Sequence, residues 1–284
     1  MKKIGLLVFT ALLCLPAFAQ DKKHNLEIAY EHSDYKYKEP HMANPIKTSG
    51  KKNGVSLKYT QRSILTSGDV SDSDNSFASL EFRYMNGDVD YDGWMQWTSG
   101  AVTPFSASNL KDYYFEAALK IGAVYRLADP LDIWPYLGLG WRQLRNHAEE
   151  MGSGGYQRTS TYIYLPLGTN LRYKASEKVS FTLNGQFDVL LHGNQYSRMT
   201  DTALFGDDSS NRQDKGYGIR VSVRGDVNMG KVGMFVEPFW RYWHIQNSEE
   251  QWFYPGGDPT QPGVSLVEPF NTTTEWGIRA GITF

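Results

Sequence analysis

The sequence predicts an all-β fold: a transmembrane antiparallel up-and-down β-barrel of about ten strands. Three observations predict it. Beyond the N-terminal segment no run of about 18 apolar residues occurs, and the mean hydropathy is negative, so helices do not supply the membrane spans. Aromatic residues nevertheless make up 14% of the chain, with 18 Tyr and 8 Trp, a composition that suits a barrel with aromatic girdles. Apolar and polar residues alternate with period two along much of the chain, between tight turns on one side and long polar loops on the other.

The N-terminus reads as an export leader. Lys2 and Lys3 form a positive region, Ile4 to Leu15 is apolar but too short to span a bilayer, and Pro16 breaks it. Ala17-Phe18-Ala19 then places small residues at the −3 and −1 positions of a cleavage site before Gln20. Residues 1–19 are expected to be a secretory signal peptide and residues 20–284 the barrel. Cys14 is the only cysteine and lies in the leader, behind Leu13 where lipidation would want a small side chain. The mature chain is therefore expected to have no disulfide and no thiolate metal site. Removing the leader takes two of the 29 basic residues and none of the 31 acidic ones, leaving 27 against 31 and a net charge of −4. That balance argues against nucleic acid as a partner.

Ten strands are expected at about 25–37, 53–65, 77–92, 112–127, 133–147, 158–173, 178–192, 215–229, 234–247 and 273–284. Residues 128–132, 174–177 and 230–233 read as tight turns, whereas 93–111, 193–214 and 248–272 are long and rich in Gly, Pro, Asp, Asn and Ser. With the N-terminus periplasmic, the long connections face outward from the cell, together with 38–52 and 148–157. Trp134, Trp141, Trp240, Trp243 and Trp276 are expected near strand ends or on the lipid face, and Trp94, Trp97 and Trp252 in or beside outer loops. Gly138-Leu139-Gly140 falls inside a strand and reads as a barrel bend.

Within the strands one phase is apolar and the other is charged. Glu27, Glu31, Lys58, Arg62, Glu81, Arg83, Glu116, Lys120, Arg142, Arg172, Asp188, Arg220, Arg224, Glu237, Arg241, Glu275 and Arg279 all fall on the inward phase. A ten-strand cylinder is narrow, so opposed charges there are expected to pair across the lumen and plug it. An open channel needs about 16 strands.

The chain ends Trp276-Gly277-Ile278-Arg279-Ala280-Gly281-Ile282-Thr283-Phe284, with every second residue apolar. This resembles the closing strand of bacterial outer-membrane barrels, whose terminal Phe is read by the insertion machinery. The resemblance implies an outer-membrane location, a cleaved leader, and contact with outer-membrane lipid and with that machinery through Phe284. A second, local resemblance lies in Asp88-Val89-Asp90-Tyr91-Asp92-Gly93-Trp94. Asp90 and Asp92 share a face near the outer rim, and the stretch is similar to the Asp-x-Asp-Trp segment of omptins, ten-stranded outer-membrane proteases. It implies a second half-site in which a carboxylate and a histidine activate water for peptide hydrolysis. His192, at the outer end of the seventh strand, and Asp188, expected on the same face, take that place. Two departures stand out: Leu190 occupies the position two before His192, and Gly93 separates Asp92 from Trp94.

Three functions fit this pattern. The leading one is a non-enzymatic barrel, structural or adhesin-like, whose loops meet a host, phage or matrix surface. The second is an omptin-like aspartyl endopeptidase or lipid-modifying hydrolase using Asp90, Asp92, Asp188 and His192. The third is a narrow channel. No metal or cofactor is expected; lipopolysaccharide is the one ligand kept open. No ligand spacing among the acidic loop residues defines a calcium site.

Overall fold

The computed structural model describes residues 24–40, 45–64, 75–96, 101–152, 154–202, 207–254, 260 and 263–284. The proposed leader and Trp97 lie outside these residues.

Ten long strands close into an antiparallel up-and-down barrel. They are β1 (His24–Glu39), β2 (Ile46–Arg62), β3 (Ser76–Gln96), β4 (Val102–Ala123), β6 (Leu131–His147), β7 (Gln157–Lys174), β8 (Val179–Ser197), β10 (Gly216–Asn228), β11 (Gly233–Ile245) and β14 (Asn271–Thr283). Each pairs with its sequence neighbour, β8 pairs with β10, and β1 pairs with β14 to close the cylinder. Four short strands decorate it. β5 (Tyr125–Ala128) prolongs β4 against β6, β9 (Ser209–Arg212) pairs alongside the outer end of β8, and β12 (Gln251–Phe253) with β13 (Val264–Leu266) forms a ribbon between β11 and β14.

The side chains are inside out relative to a water-soluble protein. Leu57, Leu80, Phe82, Leu119, Leu137, Leu139, Leu183, Phe187, Val221, Val223, Val236 and Ile278 are all exposed on the outer wall, while Glu31, Lys52, Arg142, Asp188 and Glu275 are buried inside it. A continuous apolar exterior of that kind is a surface for hydrocarbon, not for water. At its upper edge aromatic rings form a belt: Trp240 stacks on Tyr242, Tyr217 stacks on Phe187, and Phe115 tilts against Trp141.

Three strands outrun their expected limits for one physical reason. β2 begins at Ile46, seven residues before the alternation of apolar residues does, and β3 and β4 continue to Gln96 and from Val102 across the expected loop. Above the belt the outer wall meets water. Lys47, Ser49 and Lys51 there occupy the outward positions that Val55 and Leu57 occupy below, so the hydrophobic period vanishes although the hydrogen-bond ladder continues. β3 and β4 hold 21 and 22 residues, about twice the 9–11 that a tilted strand needs to cross a bilayer. Much of each stands beyond the hydrocarbon.

The tryptophans divide. Trp276 is 64% exposed on the outer wall, as its phase requires. Trp243 lies near the end of β11, but its ring faces the lumen at 2% exposure and not the lipid, because it shares parity with Arg241. Trp134 also turns inward, where Arg62 stacks over its ring at 4.4 Å. Gly140 faces the interior as well. A Cβ there would meet the Tyr164 ring at 2.1 Å, so the glycine makes room for an aromatic and not for a bend alone.

Candidate functional site

The four residues of the hydrolase reading are not brought together. Asp90 and Asp92 lie on the outer face of β3, exposed, accepting weak hydrogen bonds from the Asn109 backbone N–H and the Ser106 hydroxyl, each at 3.3 Å. Asp188 is fully buried in the lumen, where it accepts hydrogen bonds from Arg220 Nε and Gln186 Nε2, both at 2.6 Å. His192 does not share its face. A β-bulge opposite Ile163 and Tyr164 inserts Leu191 into β8, so Leu190 keeps the inward phase of Asp188 while His192 turns outward. β3 and β8 are separated by β4, β6 and β7, so the aspartates and the histidine look away from each other from different walls.

The carboxylate that holds His192 is one the sequence pattern did not single out. Asp214 Oδ1 lies 2.8 Å from His192 Nδ1, accepts the Gly193 N–H at 3.2 Å, and the carboxylate also pairs with Arg212. Partial burial pushes the Asp214 carboxyl up, but the Gly193 N–H and the Arg212 guanidinium outweigh it and hold the group below the usual carboxylate range.

The lumen holds the densest chemistry. At its centre six charged side chains from six strands form a closed ring of alternating sign. Arg83 (β3) reaches Glu31 (β1) at 3.1 Å and Glu116 (β4) at 2.8 Å; Arg142 (β6) reaches Glu116 at 3.9 Å and Glu275 (β14) at 3.0 Å. Arg241 (β11) completes it, at 3.8 Å from Glu275 and 3.0 Å from Glu31. Arg220 (β10) joins Glu116 to Asp188 (β8) as a spur. Four guanidiniums thus meet four carboxylates. Arginine suits this place, since its planar fork bridges two carboxylates at once and is more weakly hydrated than an ammonium. Tyr114 donates to Glu275 at 2.7 Å, and Arg142 lies 4.4 Å over the Tyr114 ring.

Above the ring an apolar layer of Tyr162, Tyr164, Leu190, Trp243 and Ile245 fills the bore, beside a buried Lys52–Asp112 pair to which Asn146 donates at 3.0 Å. Higher still, Arg158 binds Glu39 at 3.1 Å and also Glu268, tying the outer ends of β1, β7 and the segment before β14. Lys52, Asp112, Glu39, Arg158 and Glu268 were not among the expected lumen charges. Lys52 and Asp112 keep the parity of Lys58 and Glu116: Asp112 opens the expected fourth strand, and extending the second strand by one residue brings in Lys52.

Below the ring the bore opens into a vestibule of about 790 Å³ at the end of the barrel that carries His24 and Phe284. Here the pairs are more exposed: Lys120 and Lys58 reach Glu81 at 2.7 and 3.5 Å, Arg224 reaches Glu27 at 2.6 Å and Asp226 at 2.7 Å, and Arg279 holds Glu237. At the base Phe284 exchanges backbone hydrogen bonds with Leu26, at 2.9 and 3.2 Å, and so closes the β1–β14 seam. No group of three or more metal-ligating side chains occurs among the described residues.

No protein-family model and no curated protein matches the sequence. Solved structures do match in shape. The outer-membrane protease OmpT of Escherichia coli superposes with a TM-score of 0.58 at 11% identity, over 93% of this chain and 97% of that one. The attachment protein Ail of Yersinia pestis and the β domain of the Bordetella autotransporter BrkA align with TM-scores of 0.33 and 0.38, at 10% and 11% identity. They cover 92% and 89% of this chain and 99% and 98% of theirs. At such identities the likeness to OmpT speaks for the fold alone: the chain has the architecture of a ten-stranded bacterial outer-membrane β-barrel.

Proposed function

We propose that the protein sits in the outer membrane of a Gram-negative cell, behind a cleaved leader, as a sealed post that presents its outer rim to a surface partner. The observation that carries this reading is the ring of alternating charge from Glu31 to Arg241, with the apolar layer and the Arg158 cluster stacked above it. A bore filled at successive levels by paired side chains supports a rigid scaffold and not a conduit. The long β3–β4 hairpin supports the second half of the proposal. Its strands raise the outer connections on a hydrogen-bonded stalk, so a partner meets an ordered surface and the ordering entropy is already spent.

Gly93 and Phe105 are cross-strand partners, so residues 94–104 can be replaced by a two-residue Asn-Gly turn without opening the barrel. Cells displaying the wild-type protein are expected to adhere to matrix-coated or host-cell surfaces more than cells displaying the shortened one. Heat-modifiable gel mobility should stay intact in both. Equal adhesion of the two, at equal display, would overturn the reading of the hairpin as the binding element.

A further inference from the structure

One corner of the vestibule gathers positive charge and is short of acceptors. Arg62, at the end of β2, and Arg172, on β7, both line the cavity, and neither makes an ion pair among the described residues. Arg172 is the charge that repels Arg62 most, and Asp132 is the carboxylate that attracts it. Asp132 is already engaged by two other cations, Lys174 at 2.7 Å and Arg126 at 3.7 Å. Arg172 donates to the Ser180 hydroxyl at 3.1 Å. Its Nε and the indole Nε1 of Trp134 are both buried with no acceptor among the described residues. Buried donors in folded proteins nearly always have an acceptor, so two orphans in one corner call for a physical account.

The corner is shaped as well as charged. Arg62 lies 4.4 Å over the ring of Trp134, which packs in turn against Phe77 with centroids 5.5 Å apart. The indole braces this guanidinium without neutralising its charge. Asn170 stands opposite Trp134 in the ladder and Arg172 opposite Asp132, so Asn170 and Arg172 occupy consecutive inward positions of β7. Both line the cavity beside Asn184, which donates to the Asn170 side-chain oxygen at 2.8 Å. Two guanidinium forks, one of them held on an aromatic face, match the paired oxygens of a carboxylate or a phosphate. The ring of Glu31 to Arg241 stands above, so a ligand here enters and leaves by the same end.

We propose that Arg62 and Arg172, with Trp134 beneath them, form a receptor for the oxyanion group of a small ligand that enters the vestibule from its open end. A carboxylate or phosphate turns the repulsion of the two cations into attraction and brings acceptors to a corner that has none to spare. In the orientation proposed above this end faces the periplasm, which makes the ligand a periplasmic one. Only the compartment rests on that reading; the site itself does not.

The test uses the full chain, isotope-labelled on nitrogen and folded in uncharged detergent. The indole N–H resonance of Trp134, assigned with Trp134→Phe, is followed during titration with inorganic phosphate and, separately, with N-acetylglycine. Sodium chloride at matched ionic strength is the blank. A saturable shift with at least one of the two anions is expected, and the one bound more tightly assigns the ligand's group as phosphate or carboxylate. Arg62→Gln/Arg172→Gln is expected to bind that anion at least about tenfold more weakly than wild type. Arg172→Lys keeps the charge but not the fork, and is expected to bind about threefold more weakly, so the site can be read in a milder variant if the double one folds poorly. Lys231→Gln, on the turn between β10 and β11 and lining the same vestibule, is expected to bind as wild type does. No saturable shift with either anion, equal binding by wild type and both arginine variants, or the same shift with chloride alone would overturn the proposal. None of these outcomes depends on whether the hairpin binds a partner.

Discussion

The centre and the base of the same lumen carry the same residue types to different ends. At the centre, the side chains of Glu116 and Arg142 are 6% and 1% exposed, and each guanidinium touches two carboxylates. At the base, Lys58 and Glu81 are each 25% exposed on the wall of the open vestibule. Burial decides what each pair is worth. A charge that loses its partner in the dry centre is left uncompensated in low dielectric, whereas one in the vestibule is rehydrated. The centre acts as a lock and the base as a solvated mouth.

Substitutions can sharpen that contrast, in descending order of effect. Glu116 contacts Arg83, Arg142 and Arg220, so Glu116→Ala takes one of its two carboxylate partners from each of three guanidiniums at once. It is expected to cost about 3–5 kcal/mol, read from urea-dependent unfolding in lipid vesicles. Leu139→Arg, on the exposed apolar wall, is expected to cost about 2–4 kcal/mol if that wall faces hydrocarbon. The same assay in vesicles of thinner lipid would show a smaller loss. Glu81→Gln, in the vestibule, is expected to cost about 1 kcal/mol or less, and less still in high salt, which screens accessible pairs. Asp90→Ala and His192→Ala, both on the outer wall above the belt, are expected to fall within about 0.5 kcal/mol of wild type. A Glu81→Gln loss as large as that of Glu116→Ala would erase the distinction between lock and mouth.

The legibility of the sequence follows the same geography. Within the bilayer, lipid imposes an apolar outward phase on every strand, so Leu183, Val221 and Ile278 announce their strands and the charged residues between them announce the lumen. Above the belt, water bathes the outer wall and polar residues serve on both faces. The outer half of β2, and the pairing of Asp92 with Ser106 or Met95 with Thr103, therefore have no periodic signature. The candidate site failed for a related reason. Val189-Leu190-Leu191 is apolar in both phases, so alternation cannot reveal that Leu191 is the extra residue of a bulge, and His192 was assigned to the wrong face. Nothing in the spacing of Asp214 and His192 points to their contact, because the turn after β9 creates it. Trp243, by contrast, was legible. Its parity with Arg241 places its ring inside, near the end of β11.

The central claim is that paired side chains seal the bore, and single-channel recording in planar lipid bilayers tests it most directly. In 1 M KCl the wild-type barrel is expected to give a flat current at baseline, and the Glu116→Ala barrel brief openings where the ring is broken. Stable, stepwise conductance from the wild-type protein would contradict a lumen closed by the ring of Glu31, Arg83, Glu116, Arg142, Glu275 and Arg241.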